Sequence, residues 1–74
     1  MRATRADGPL IRQLREESGT SLTRFAQEIR LSIGYLSKIE QGTSNPSPEV
    51  TARIARRLGV TIRNITQQAD QAAA

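Results

Sequence analysis

Ile33, Gly34, Ser37, Lys38 and Gln41 fall on one side of a helix-spaced stretch that begins at Ser32. Ser37 and Gln41 can donate and accept hydrogen bonds, Lys38 only donates, Ile33 offers methyl contact and Gly34 offers no side chain. This is contact chemistry directed outward. The opposite side carries Tyr35, Leu36 and Ile39, which suits attachment to a core, and the outer side carries almost no helix-stabilising charge pairs. Catalysis fits the chain poorly. With no histidine and no cysteine, the usual general base, the thiol nucleophile and most zinc ligands are missing. The seven carboxylates are scattered over helical surfaces, with no pair flanked by a cleft-forming pattern. The chain therefore reads as a non-enzyme with no cofactor, no metal and no evident small-molecule ligand.

Charge narrows the class of partner. Eleven Lys and Arg against seven Asp and Glu give +4, the pI is near 11.1, and Lys38 is the only lysine. A strongly basic small domain is one footprint of nucleic-acid binding, although many basic proteins bind nothing charged. No apolar run approaches the ~18 residues of a membrane span, and MRATRADG lacks the apolar centre of a secretory signal, so a cytoplasmic protein with no membrane partner is expected.

The elements that must position the outward face follow from caps and stops. Residues 1–8 are short, basic and unpatterned, and are expected to be a flexible arm. A first helix starts near Pro9, with Asp7 or Gly8 as cap, buries Leu10, Ile11 and Leu14, and ends at Gly19. Ser21 caps a second helix whose stripe is Leu22, Phe25, Ala26 and Ile29. After a break at Arg30 and Leu31, Ser32 caps the third, which runs to Gln41 and stops at Gly42. Ser47, Pro48 and Glu49 open a fourth helix with Val50, Ile54, Ala55 and Leu58 inward, ended by Gly59. Thr61 caps a short fifth helix carrying Ile62 and Ile65. No period-2 strand pattern occurs. The expected architecture is all-α, a compact bundle of five helices over 9–66, with 67–74 as a frayed or disordered tail. No disulfide can help, so an aliphatic core must hold it.

Two short helices joined by a three to four residue turn make a helix-turn-helix, whose second member can lie in the DNA major groove. Small Gly34 and Ser37 allow the close approach that a groove about 12 Å wide demands. At this point GTSLTRFAQEIRLSIGYLSKIEQGTSNPS resembles the lambda-repressor-like (Cro and phage-repressor, xenobiotic-response-element) family. The densest match is S-x-x-Y-L-S-x-I-E-x-G, met by Ser32, Tyr35, Leu36, Ser37, Ile39, Glu40 and Gly42, with further matches from Leu10 to Ile65. The resemblance implies base-edge contacts from Ser32, Ile33, Gly34, Ser37 and Lys38. It implies phosphate contacts from Ser21, Leu22, Thr23 and Arg24 and from Thr43, Ser44 and Asn45. It also implies a largely buried ion pair between Arg15 and Glu40. This chain departs from the family at Leu22, where glutamine often clamps a phosphate, at Arg30, where the turn usually has glycine, and at Thr20, usually apolar.

Each residue has a plainer alternative. Lys38 can donate to guanine O6 and N7 or remain a solvated charge; Ile33 can meet a thymine methyl or be incidental. Arg24 and Arg30 suit phosphates, Arg2 and Arg5 could follow a groove, and Arg53, Arg56 and Arg57 read as the wet face of the fourth helix. Tyr35 packs by spacing, while its hydroxyl could reach a phosphate. The expected function is sequence-specific binding of double-stranded DNA by a transcriptional regulator, a repressor by preference, acting as a homodimer on an inverted repeat. Ile62 and Ile65 are the candidate dimer interface. The rival is a protein-interaction module, such as an antitoxin or adaptor, on the same scaffold.

Overall fold

A computed structural model describes residues 4–68. Its helices begin where a side chain can satisfy the unpaired N–H groups of a first turn. Asp7 Oδ1 accepts from the Leu10 N–H at 3.2 Å and opens α1 (Gly8–Glu17). Ser21 Oγ accepts from Arg24 at 3.1 Å and opens α2 (Leu22–Glu28). Ser32 Oγ accepts from Tyr35 at 3.0 Å for α3 (Ile33–Gln41), and Ser47 Oγ from Val50 at 3.2 Å for α4 (Pro48–Leu58). Each such cap contributes about 1 kcal/mol.

The stripes of these helices meet in one core of Ile11, Phe25, Ala26, Ile29, Leu36, Ile39, Ile54, Ala55 and Ile65. Leu14, Leu22, Leu31, Tyr35, Val50 and Leu58 are partly buried against it. Leu10, expected inward, is only half-buried. α1 lies unusually close to the end of α3: a Cβ built on Gly8 would meet the backbone carbonyls of Ile39 and Glu40, the second at 2.6 Å. Only a residue without a side chain allows that approach.

The ends of the fold differ from the five-helix, all-α expectation. Four α-helices are present among the described residues, and Ile62–Ile65 is a single 3-10 turn. Thr61 and Asn64 close a capping box, with Thr61 Oγ1 accepting from the Asn64 N–H at 3.3 Å and Asn64 Oδ1 from the Thr61 N–H at 3.1 Å. The chain cannot extend that turn into a helix because Thr66 enters an extended pairing. Strands β1 (Thr4–Ala6) and β2 (Thr66–Gln68) form an antiparallel ribbon in the register Thr4 with Gln68, Arg5 with Gln67 and Ala6 with Thr66. Asp7 continues it, donating its N–H to the Ile65 carbonyl at 2.8 Å. Residues 4–6 of the expected arm and 67 and 68 of the expected tail are thus part of the fold. Arg2 and the rest of the tail lie outside the described residues.

Candidate nucleic-acid interface

The turn between α2 and α3 is tight because Leu31 donates its N–H to the Ala26 carbonyl at 2.9 Å and Arg30 to Gln27 at 3.2 Å. Closing it puts Arg30 at φ +61°, the single non-glycine residue with positive φ among the described residues. An L side chain there costs on the order of 1 kcal/mol. From α4, Arg53 Nη1 donates to the Ile29 carbonyl at 3.1 Å and so ties down the end of α2.

The turn delivers α3 with two unlike sides. Leu36 and Ile39 are fully buried and Tyr35 is half-buried. Glu40, also inward, is 7 % exposed and sits against Arg15, itself 7 % exposed on α1. Arg15 Nε donates to Glu40 Oε2 at 2.8 Å and Nη2 to Oε1 at 3.1 Å, a bidentate pair, while Nη1 donates to the Thr20 carbonyl at 2.8 Å. The hydrogen bond that Arg15 donates to Glu40 raises the Arg15 pKa above its ordinary value, against the opposing effect of burial. No buried side-chain donor or acceptor among the described residues is left unsatisfied.

On the outer side Ile33 is 46 % exposed, and Gly34, Lys38 and Gln41 are exposed. Nothing lies within 4 Å of the place where a Gly34 side chain would stand. Ser37 is half-buried and its hydroxyl accepts from Gln41 Nε2 at 3.0 Å. Ser32 is exposed, its Oγ serving as the helix cap. The face from Ser32 to Lys38 is therefore open, shallow and mixed: one isoleucine, one ammonium, hydroxyls and a gap.

The flanks are less uniform. At the start of α2, Ser21, Thr23 and Arg24 are exposed, with Arg24 Nε donating to Glu28 Oε2 at 3.3 Å. Leu22 differs: its side chain packs on the core, which leaves only its backbone N–H to meet an anion at the helix start. Beyond α3, Gly42 at φ +83° reverses the chain, and the Lys38 carbonyl then accepts from the Thr43 N–H at 3.0 Å, Thr43 Oγ1 at 3.2 Å and the Ser44 N–H at 3.3 Å. Asn45 Oδ1 accepts from the Ala6 N–H at 2.9 Å, and Arg5 Nη2 reaches the Gly42 carbonyl at 3.4 Å. β1 thus holds the loop after α3.

Two arginines read from the sequence as solvent-facing are structural. Besides Arg53, Arg57 Nε donates to Glu28 Oε1 at 2.6 Å and Nη2 to Thr20 Oγ1 at 3.3 Å, and its guanidinium lies 5.7 Å from the centroid of the Phe25 ring. Hydrogen bonds from Arg57 and then Arg24 hold the Glu28 carboxyl below the usual glutamate range. Thr20, the departure from an apolar residue, is buried as the polar hub of Arg15, Ser18 and Arg57. No local spacing signals the bonds of Arg53 to Ile29 and of Arg57 to Glu28 and Thr20, because these partners are 24 to 37 residues apart.

A pair of short helices with a tight turn, the second anchored on one side and open on the other, is a helix-turn-helix. The chain belongs to the Helix-turn-helix family HTH_3, whose model matches residues 11–68. It is 35% identical over 57 residues to the HTH-type transcriptional regulator DdrOP3 of Deinococcus deserti, an alignment covering 77% of this chain and 44% of that protein. The chain spans about half the length of the curated relatives it matches. Among solved structures, the clp gene regulator ClgR of Corynebacterium glutamicum superposes with a TM-score of 0.73 at 33% identity, covering 77% of this chain and 61% of that one. SinR, a master regulator for biofilm formation solved in complex with DNA, superposes with a TM-score of 0.71 at 33% identity, covering 76% and 90%. DdrOP3 is a transcriptional regulator and ClgR a gene regulator by name, and SinR is the one of the three whose structure holds DNA. No helix among the described residues is long and apolar enough to cross a membrane.

Proposed function

We propose that this protein is a transcriptional regulator that reads double-stranded DNA with α3 in the major groove. The carrying observation is the open outer face of α3, where Ile33 is 46 % exposed beside Lys38 on a helix whose inner side is locked. Ser32, Ile33, Gly34, Ser37 and Lys38 are the base-facing set. Lys38 supplies a donor suited to guanine, worth about 1 to 3 kcal/mol of discrimination, and Ile33 a surface suited to the thymine methyl. Ser21, Thr23 and Arg24 on one flank, and Thr43, Ser44 and Asn45 on the other, are the phosphate contacts, with Arg30 and the Tyr35 hydroxyl at the margin. Leu22 contributes there through its backbone alone.

The same reading has two copies bind an inverted repeat, with recognition helices about 34 Å apart, and repress transcription by occupying the site. Of the two residues expected at the dimer interface, Ile65 is fully buried in the protomer and is withdrawn from it; Ile62, 44 % exposed, remains. Selection of bound duplexes from random DNA, repeated with Ile33→Ala and Lys38→Ala, tests the face. Expected is an inverted repeat for the parent and relaxed preference at distinct positions for each variant. Selection of one identical sequence by all three proteins would falsify the base-facing assignment. Affinity should fall log-linearly with salt; binding to a protein partner through apolar contact would not.

A further inference from the structure

A depression of about 400 Å³ lies between the C-terminal end of α2 and α4. It is lined by Glu28, Ile29, Arg30, Arg53, Arg56 and Arg57. No residue of α3 lines it, and it opens at the opposite end of α2 from Ser21, with Arg24 reaching it only through its bond to Glu28. Seven residues of helix separate those ends, about 10 Å. Four arginines face a single glutamate, and their engagement divides them into two pairs.

Arg53 and Arg57 are held by the protein. Arg53 bonds to the Ile29 carbonyl and approaches Glu49 at 3.5 Å, and Arg57 is fixed by Glu28, Thr20 and the Phe25 ring. Glu28 is already shared between Arg57 and Arg24. Arg30 and Arg56 are exposed, and neither has an ion pair or side-chain hydrogen bond among the described residues. Two immobilised guanidinium groups thus form a pre-ordered floor and two unspent ones form the rim. Arg30 and Arg56 keep all their donors free to capture a carboxylate bidentately, while the bonded Arg53 and Arg57 add fixed positive charge beside them.

We infer that this depression docks an acidic segment of a partner protein, with carboxylates meeting Arg56 and Arg30 across the rim. The volume suits several side chains and exceeds what one inorganic anion fills. A duplex lying along α3 meets the other end of α2 and reaches this depression only at its Arg30 edge, so DNA phosphates are the less favoured occupant. The Ile29 carbonyl at the helix end, which would repel a carboxylate, is already neutralised by Arg53. The inference does not depend on the DNA reading, because its test needs no operator.

The test is an NMR titration of the full chain with a hexaglutamate peptide, repeated with Arg56→Glu, Arg56→Ala and, in place of the peptide, a 12-base-pair duplex of arbitrary sequence. Expected are saturable shifts at Glu28, Arg30, Arg53 and Arg56 with the peptide, at least tenfold weaker binding by Arg56→Glu, and intermediate binding by Arg56→Ala. Both variants should melt like the parent, since Arg56 is exposed and unpartnered. Peptide shifts centred on Ser32 to Lys38, parent-like peptide binding by Arg56→Glu, or absence of saturable binding would each overturn the proposal. So would duplex-induced shifts that start in this depression and vanish in Arg56→Glu, since these would make it a phosphate contact.

Discussion

The two sides of α3 differ in how strongly the rest of the chain specifies them. The inner side is specified several times over: Leu36 and Ile39 are sealed in the core, Glu40 is clamped by Arg15, and the Ile39 and Glu40 carbonyls lie flush against Gly8. The outer side meets only solvent from Ile33 to Lys38, apart from the Gln41 contact to Ser37. One helix therefore separates stability from recognition. Substitutions inside should change whether α3 is held, and substitutions outside should change what it touches.

The most severe way to break that contrast is Glu40→Ala, which leaves the Arg15 guanidinium buried without its counter-charge. Loss of one partner of a buried pair costs about 3 to 5 kcal/mol, a large share of the stability of a domain this small. Urea denaturation followed by circular dichroism should find the variant largely unfolded, and a midpoint near that of the parent would mean the pair contributes little. Gly8→Ala is next. Alanine favours a helix by about 1 kcal/mol, yet its Cβ would collide with two backbone carbonyls that cannot rotate away. A net loss of about 1 to 3 kcal/mol is expected; a gain would show that α1 slides freely on α3.

Arg30→Gly acts in the other direction. Relief of the positive φ should add about 1 kcal/mol and raise Tm by roughly 4 to 8 °C in a domain of this size. An unchanged or lower Tm would mean that the turn is not strained. Ile33→Ala and Lys38→Ala should leave Tm within the range of about ±0.5 kcal/mol typical of surface changes while altering the DNA selected. A large stability loss in either would mean the outer side is not free.

The smallest effect concerns pH. Glu28 titrates below its unfolded value because Arg57 and Arg24 bond its carboxylate. Its contribution is therefore present above the ordinary glutamate range and is lost as pH falls through the depressed folded value. Glu28→Gln should flatten the acid limb of a Tm-against-pH curve slightly. An acid limb of undiminished slope would assign that loss to other carboxylates.

What was legible in the sequence follows interaction range. The Ser21, Ser32 and Ser47 caps act on the N–H three residues on, and Gly42 and Gly59 end helices within one turn, so residue types and spacing reveal them directly. The outer face of α3 was legible for the same reason. A fifth helix is expected because Thr61 and the spacing of Ile62 and Ile65 resemble a helix start, while the termination at Thr66 comes from its strand partner Ala6, sixty positions away in the chain. That ribbon is three residues long in each strand and too short to show alternation. Arg53 and Arg57 read as solvated in the sequence because nothing local distinguishes a surface charge from a guanidinium that reaches another helix.

By itself, the order of residues determined where four helices begin and end and which face of each is apolar, since these depend on neighbours within a turn. Tertiary structure alone decided that Ile65 is core while Ile62 is surface, that β1 ties the loop after α3 to the chain start, and that two arginines of α4 build a floor beneath two that remain unspent. The physical reason is that burial and ion pairing depend on distances between segments, and those distances exist only once the helices have packed.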